Sequence, residues 1–449
     1  MNSWSEWFSR HPVRLVPFGF AAAILLVTAL LLLPVSQSGS APTGFLDALF
    51  TATSAITVTG LITLDTSTHW SLFGEGVIML AMQIGGVGIM ATAAFMGLVV
   101  SRKIGLTGRL LTQAELNRTL DMGDLKGILL KAFAIFGAVE LLATVVLSLR
   151  FRFTYGYDRF DAFWTGLFHA VSAFNAGGFS LFSDSMTGFR TDPVILVIVI
   201  VSSIVGGLGM PVLFEITRRG WGHRRWSLHT KMTLWGTGFL FVIGFALFLF
   251  YEWANPGTLG PMPWQEKTLN ALFQSSMLRS TGFNSFDTGE LTTDSVLVSV
   301  VLMVIGGGSA STAGGMKVTT FFLLAWVIWS ELRGDPDVSA FRRQIPPDAI
   351  RQALSVALIY VALVAGGIQS VQYLNPDIPL QDIMFEVASA AGTVGQSTGI
   401  TDAITPGSQA ILIFLMYVGR IGPVLFATAL AIRGRQRRYQ YPMGRPLVG

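Results

Sequence analysis

No cysteine occurs among the 449 residues, which excludes disulfides, thiolate metal sites and cysteine nucleophiles. Charge is scarce: Asp, Glu, Lys and Arg make up 12% of the chain, about half the share of a soluble globular protein. Histidine is confined to His11, His69, His169, His223 and His229, with no His-Glu-x-x-His and no pair at metal-ligand spacing on one helix. His169 is therefore read as a packing or hydrogen-bonding residue. There is no G-x-G-x-x-G after a strand and no long soluble stretch, so nucleotide binding is not expected on this chain and control must come from membrane energetics, ions or a separate protein. An intramembrane hydrolase would need Ser309 or Ser311 paired with Lys317, and that pairing leaves the pattern described below unexplained.

What the chain has in abundance is apolar length. Hydrophobic residues are 51% of it, and the mean hydropathy is +0.59. Apolar runs fall at 15–35, 75–100, 128–149, 193–213, 232–251, 295–306, 353–373 and 409–432. All but 295–306 approach or exceed the roughly 20 residues of a spanning helix. An integral membrane protein follows. The first run is expected to remain as a span, since Pro34-Val35-Ser36 lacks a small-residue cleavage pattern. Twenty-two of the thirty Lys and Arg lie in five places, at 10–14, 102–131, 218–231, 333–351 and 433–445. Basic loops favour the cytoplasmic side, so both termini are expected inside and the spans even in number, in a cell membrane. The C-terminal arginines are ordinary juxtamembrane anchors beside lipid, and no nucleic-acid partner is implied.

Between the long runs lie shorter ones of about ten residues, too short to cross. They read LDALFTATSAITVTGL (46–61), WTGLFHAVSAFNAGGF (164–179), LNALFQSSMLRSTGF (269–283) and DIMFEVASAAGTVGQ (382–396). Aligned on Phe50, Phe168, Phe273 and Phe385, they place Gly60, Gly178, Gly282 and Gly395 ten, ten, nine and ten residues later. Glycine clusters in the helices that follow begin at Gly85, Gly206, Gly306 and Gly419. Such regularity identifies an internal repeat. The expected fold is an all-α integral membrane protein of four pseudo-symmetric units (1–100, 101–217, 218–334 and 335–449), each helix, re-entrant pore helix with loop, helix. That makes eight spans and four pore loops around one central pore.

Irregular backbone at membrane depth is tolerated only where it lines a watery cavity. A short helix ending at mid-membrane aims its negative C-terminus at the centre, which favours cations. The extended backbone beyond it offers carbonyls that replace an ion's hydration shell. Four quartets are candidates for that ring: Thr57-Val58-Thr59-Gly60, Asn175-Ala176-Gly177-Gly178, Arg279-Ser280-Thr281-Gly282 and Gly392-Thr393-Val394-Gly395. The Arg279 side chain is expected to point behind the ring to a polar partner.

The third unit differs from its siblings. Gly306, Gly307, Gly308, Ser309, Ala310, Ser311, Thr312, Ala313, Gly314 and Gly315 fall where a spanning helix should run, and glycine costs about 1 kcal/mol relative to alanine inside a helix. A loop at 306–316 is predicted, roughly one leaflet below the ring on the cytoplasmic half of the pore, placed to act as a gate. Lys317 follows it directly. Arg420, twelve residues into its apolar run, is too deep to snorkel easily and is expected to project into the pore near the loop as a barrier to cations. Glu140 and Glu215 are intramembrane acids for which the sequence suggests no partner.

TVTGL, FHAVSAFN, RSTGFN and GTVG, with GGSASTAGGMKVTTF (307–321) and GRIGP (419–423), resemble the filter and inner-helix segments of the Trk, Ktr and HKT potassium transporters over essentially the whole chain. The likeness is strongest to Ktr pore subunits, because one span rather than three precedes the first filter. Two departures stand out: Asn-Ala-Gly-Gly where Asn-Asn-Ala-Gly is familiar, and Gln396 where an apolar residue is commoner. The resemblance implies potassium uptake through the ring, with the glycine-rich loop as gate and sodium as a candidate stimulating ion. It also implies a homodimer of pore subunits and a cytosolic, nucleotide-binding RCK-type regulatory ring. Docking surfaces for that ring are expected on 101–127, 217–231 and the basic C-terminus. A Trk-type or sodium-permeable transporter of the same superfamily is the alternative. No cofactor beyond the transported ion is expected.

Overall fold

A computed structural model of the chain describes residues 15–39, 42–103, 125–220 and 226–422. Much of the basic regions at both ends of the sequence, and most of the 101–127 loop, lies outside the described residues. Fourteen main helices make up the described chain: α1 Leu15–Leu31, α2 Phe45–Thr57, α3 Leu72–Lys103, α4 Leu125–Thr154, α5 Arg159–Asn175, α6 Pro193–Leu208 and α7 Met210–Arg219, then α8 Leu228–Glu252, α9 Trp264–Met277, α10 Thr293–Val304, α11 Val318–Arg333, α12 Pro347–Leu374, α13 Leu380–Gly392 and α14 Pro406–Ile421. The strands described are a small antiparallel hairpin, Ser339–Ala340 with Arg343–Gln344, in the register Ser339 to Gln344.

Among the described residues, three helices are long and apolar enough to cross a membrane unaided: Ala134–Thr154 in α4, α8 and α12. Each keeps only part of its surface against protein, and side chains such as Leu141, Val242, Phe250 and Leu358 point outward, as lipid-facing residues do. Polar side chains mark where helices start. Asp192 accepts the Val194 and Ile195 amides at α6, Ser227 accepts that of Thr230 at α8, and Thr292 accepts that of Ser295 at α10.

The apolar run 193–213, expected as a continuous span, is instead bent by 96° between α6 and α7. Gly209 makes the corner with φ +87°, and a β-carbon there would fall 2.5 Å from the Ser309 carbonyl oxygen. Only glycine tolerates both the dihedral and the contact. The apolar run after the third short helix breaks where its glycines predict: α10 stops at Val304, α11 begins at Val318, and the loop between them starts and finishes side by side, with a parallel bridge joining Ile305 to Met316.

The short helices α2, α5, α9 and α13 occupy the interior. Residues 50–57 of α2 and 385–392 of α13 are buried throughout. α2, α5 and α13 each pack against the helices before and after them, α9 packs on α8 and α6, and α14 returns to pack on α2, bringing the last described helix against the first short one.

Candidate functional site

All four quartets adopt one backbone pattern. The second residue is left-handed in each (Val58 φ 54°, Ala176 62°, Ser280 74°, Thr393 47°), and the fourth is a glycine at positive φ (94°, 69°, 87° and 96°). A β-branched residue in the left-handed region costs about 1–2 kcal/mol, so Val58 and Thr393 hold that shape only because their surroundings impose it. Helix ends supply part of the constraint. At α2 the Val58 amide bonds Ala55 O and the Thr59 amide bonds Ser54 O; Ala176 and Gly177 repeat this on Ala173 and Ser172, as do Thr393 and Val394 on Ala390 and Ser389. α9 ends differently: the Thr281 and Gly282 amides share Met277 O, in the element whose Phe-to-Gly spacing is one residue shorter.

The quartets meet in chain order. A β-carbon on Gly60 would fall 2.5 Å from Gly177 O, and one on Gly178 would fall 2.9 Å from Thr281 O. One on Gly282 would strike Val394 O, and one on Gly395 would strike Thr59 O. Each glycine therefore faces the carbonyl preceding the next glycine, and the fourth quartet closes onto the first. The later glycine clusters hold the short helices: β-carbons at Gly85, Gly206 and Gly419 would collide with Ile56 O, Phe174 O and Ala391 O, each four residues before a ring glycine. Gly306, the first glycine after α10, instead faces its own loop at Gly314 O.

A serine six residues before each ring glycine escaped the sequence reading, although the aligned column of Ser54, Ser172, Ser276 and Ser389 is visible in it. Ser54 Oγ accepts the Gly60 amide and Ser389 Oγ accepts the Gly395 amide, both at 3.0 Å. Ser172 Oγ donates to Phe179 O at 2.8 Å, while Ser276 Oγ is buried without a partner. Gln396 answers its own departure from pattern. It exchanges side-chain hydrogen bonds with Gln274 and donates to Phe283 O at 2.7 Å, tying the third and fourth elements together.

Arg279 points behind the ring, donating to Gly306 O at 2.9 Å and Thr237 O at 3.3 Å. Its side chain faces the helix break and not the ring. Glu140 and Gln83 hold Asn175: the Asn175 amide donates to Gln83 Oε1 at 2.7 Å and Glu140 Oε1 at 3.0 Å, and Gln83 donates to Glu140 Oε2 at 3.2 Å. Glu215 is buried and receives the Ser227 amide and hydroxyl and the Thr230 hydroxyl, clamping the start of α8. His169 bonds Thr165 O and Ser180 Oγ, as a structural histidine would.

The glycine-rich loop is not a leaflet away from the ring, as expected, but against its underside. The Gly314 amide donates to Ser280 Oγ at 3.0 Å, and Thr312 Oγ1 donates to Phe174 O at 3.2 Å. Further anchors run from Gly308 N to Gly207 O, from Thr312 N to Gly206 O, and from Met210 N to Ala310 O. The reason is length: with α10 only 12 residues long, the loop begins before the chain has passed the pore-helix ends. Arg420 is buried and donates to Thr312 O, and also to Gly85 O at 2.9 Å. Lys317 turns back to Ala313 O at 2.6 Å. Two cations therefore grip carbonyls of one loop.

A family profile described as "TrkH: Cation transport protein" matches residues 20–439. The chain belongs to this family. It is a membrane cation transport protein and not an enzyme. It is 37% identical to Ktr system potassium uptake protein B of Bacillus subtilis (strain 168), over 99% of this chain and 98% of that one. It is 35% identical to the protein of the same description in Vibrio alginolyticus, over 97% and 94%. Potassium/sodium uptake protein NtpJ of Enterococcus hirae is 34% identical over 98% and 97%. The crystal structure of the potassium transporter TrkH from Vibrio parahaemolyticus shares the fold, with a TM-score of 0.72 at 19% identity, covering 93% of this chain and 85% of that one.

Proposed function

We propose that this chain is the membrane subunit of a Ktr-type potassium uptake system, conducting through a single pore of four repeats (1–100, 101–217, 218–334 and 335–449). The observation that carries it is the cyclic approach of Gly60, Gly178, Gly282 and Gly395, each facing the carbonyl before the next. Four short helices deliver negative C-terminal ends to one place, and backbone carbonyls there replace water around a dehydrating cation. The quartets 57–60, 175–178, 279–282 and 392–395 form the filter, with Arg279 contributing backbone only. Near full-length likeness to two Ktr potassium uptake proteins supports potassium as the ion. Likeness to a potassium/sodium uptake protein, with Gln396 beside the filter, favours sodium permeation as the second reading.

Residues 306–316 are the gate in this reading, latched by Arg420 on Thr312 O and by Lys317 on Ala313 O. Their charges oppose cation passage while their hydrogen bonds fix the loop. The pore subunit works as a homodimer under a cytosolic nucleotide-binding ring, with eight spans and both termini cytoplasmic, as the basic loops suggest. Rubidium uptake into vesicles, with sodium and pH varied independently, tests the function. Uptake suppressed by potassium far more than by sodium supports potassium transport. Equal suppression by both ions supports the sodium-permeable reading.

A further inference from the structure

We propose that Glu386, with the Ser397 and Thr401 hydroxyls, forms a site for one sodium-sized monovalent cation behind the fourth quartet, separate from the ring itself. Glu386 lies on α13 nine residues before Gly395 and is fully buried. Its Oε1 accepts the Thr401 hydroxyl, and its Oε2 is buried with no hydrogen-bond partner. No Lys or Arg forms an ion pair with it among the described residues. At the matching position of α5 and α9 stand His169 and Gln274, whose polar groups engage Ser180 and Gln396. Only α13 places a carboxylate there.

A buried carboxylate without a counter-charge costs several kcal/mol, so the group either keeps a proton or meets a cation. The surroundings favour the cation. Thr401 Oγ1 stands 3.0 Å from Ser397 Oγ, so two hydroxyl oxygens and the orphan carboxylate oxygen are drawn together under the loop that leaves the fourth quartet. Asp382, half-buried one turn earlier on α13, and exposed Asp402 place further negative charge around the site. The donors are hard oxygens with a single carboxylate in contact. That set suits a monovalent ion, because calcium sites gather six to eight oxygens with more charge, and its compactness suits a small one. Ser397 O also accepts the Thr288 hydroxyl, so an ion here would brace the loops beyond the third and fourth quartets against each other.

The test is thermal unfolding of the purified full-length protein in detergent, at a fixed high potassium concentration that keeps the ring occupied, with sodium chloride titrated against choline chloride. The site predicts a sodium-specific, saturable rise in melting temperature, by the ordinary linkage of ligand to folded state. Glu386→Gln should abolish the rise, and Thr401→Val, which keeps the carboxyl, should shift it to several-fold higher sodium. Gly60→Ser, which alters the ring alone, should leave it intact, so failure of the filter reading and failure of this one are told apart. If sodium and choline act alike on the unsubstituted protein, or if sodium stabilises Glu386→Gln equally, the carboxyl holds a proton and the proposal is overturned.

Discussion

Ring geometry rests on single atoms. Gly60 sits at φ +94° with Gly177 O where a β-carbon would go, so Gly60→Ser must move the first or second quartet. The expected result is a higher sodium-to-potassium permeability ratio, and an unchanged ratio would remove 57–60 from the filter. The serine column offers a finer test with an internal control. Ser54→Ala and Ser389→Ala each strand a buried glycine amide, at a cost of about 1–3 kcal/mol. Ser276→Ala loses no hydrogen bond and should be nearly neutral. Melting temperatures and permeability ratios of the three variants should separate two to one. Equal behaviour of all three would show that the hydroxyls do not brace the ring.

At the scale of elements, the loop 306–316 touches the ring through Gly314 N and Ser280 Oγ, so the proposed gate and filter would be coupled. Deleting Ala310 to Ala313, and separately Arg420→Ala, should each raise rubidium uptake, with a double variant less than additive because both relieve one barrier. Selectivity should shift modestly in the deletion, which loosens the segment holding Ser280 Oγ through Gly314. Reduced uptake in both single variants, with the protein folded, would mean the loop is scaffold. A second element-level device ties the C-terminal end of α4 to the cap of α6, where Arg150 pairs with Asp192. Burial pushes the Asp192 carboxyl up, but Arg150, the Val194 and Ile195 amides and Tyr155 outweigh it and hold the carboxyl below the ordinary value of 3.8. The link it makes between α4 and α6 is therefore complete above that value. It fails as pH falls through the lower folded value. Asp192→Asn should lower the melting temperature at pH 7 and flatten its fall on acidification, as a pH series of melting curves would record.

Much of this is legible in the sequence alone. The Phe-to-Gly spacing located four short helices and the ring glycines because repetition multiplies a weak local signal. The glycine run located the break after Val304 because helix propensity is a local property. The bend at Gly209 was missed: an apolar run through Gly206, Gly207 and Gly209 scores as a span, and the corner depends on the Ser309 and Ala310 backbone packed against it. The partners of Glu140 and Glu215 were hidden for the same reason, being set by contacts with Asn175 and Ser227 from other helices.

For the molecule as a whole, α14 packs against α2, and under the proposed reading one polypeptide then does what four subunits do in a symmetric channel. The proposed regulation through a separate ring predicts that the purified chain conducts without response to ATP or ADP, and a nucleotide-dependent flux from this chain alone would reveal a binding site within it. The central claim is the single-chain potassium filter. Its most direct test is rubidium uptake into potassium-loaded proteoliposomes containing this chain only, with external potassium or sodium as competitor, for the unsubstituted protein and Gly60→Ser. The account predicts uptake blocked by potassium at concentrations where sodium has little effect, with that discrimination narrowed by Gly60→Ser. Uptake whose potassium preference survives Gly60→Ser unaltered would contradict it.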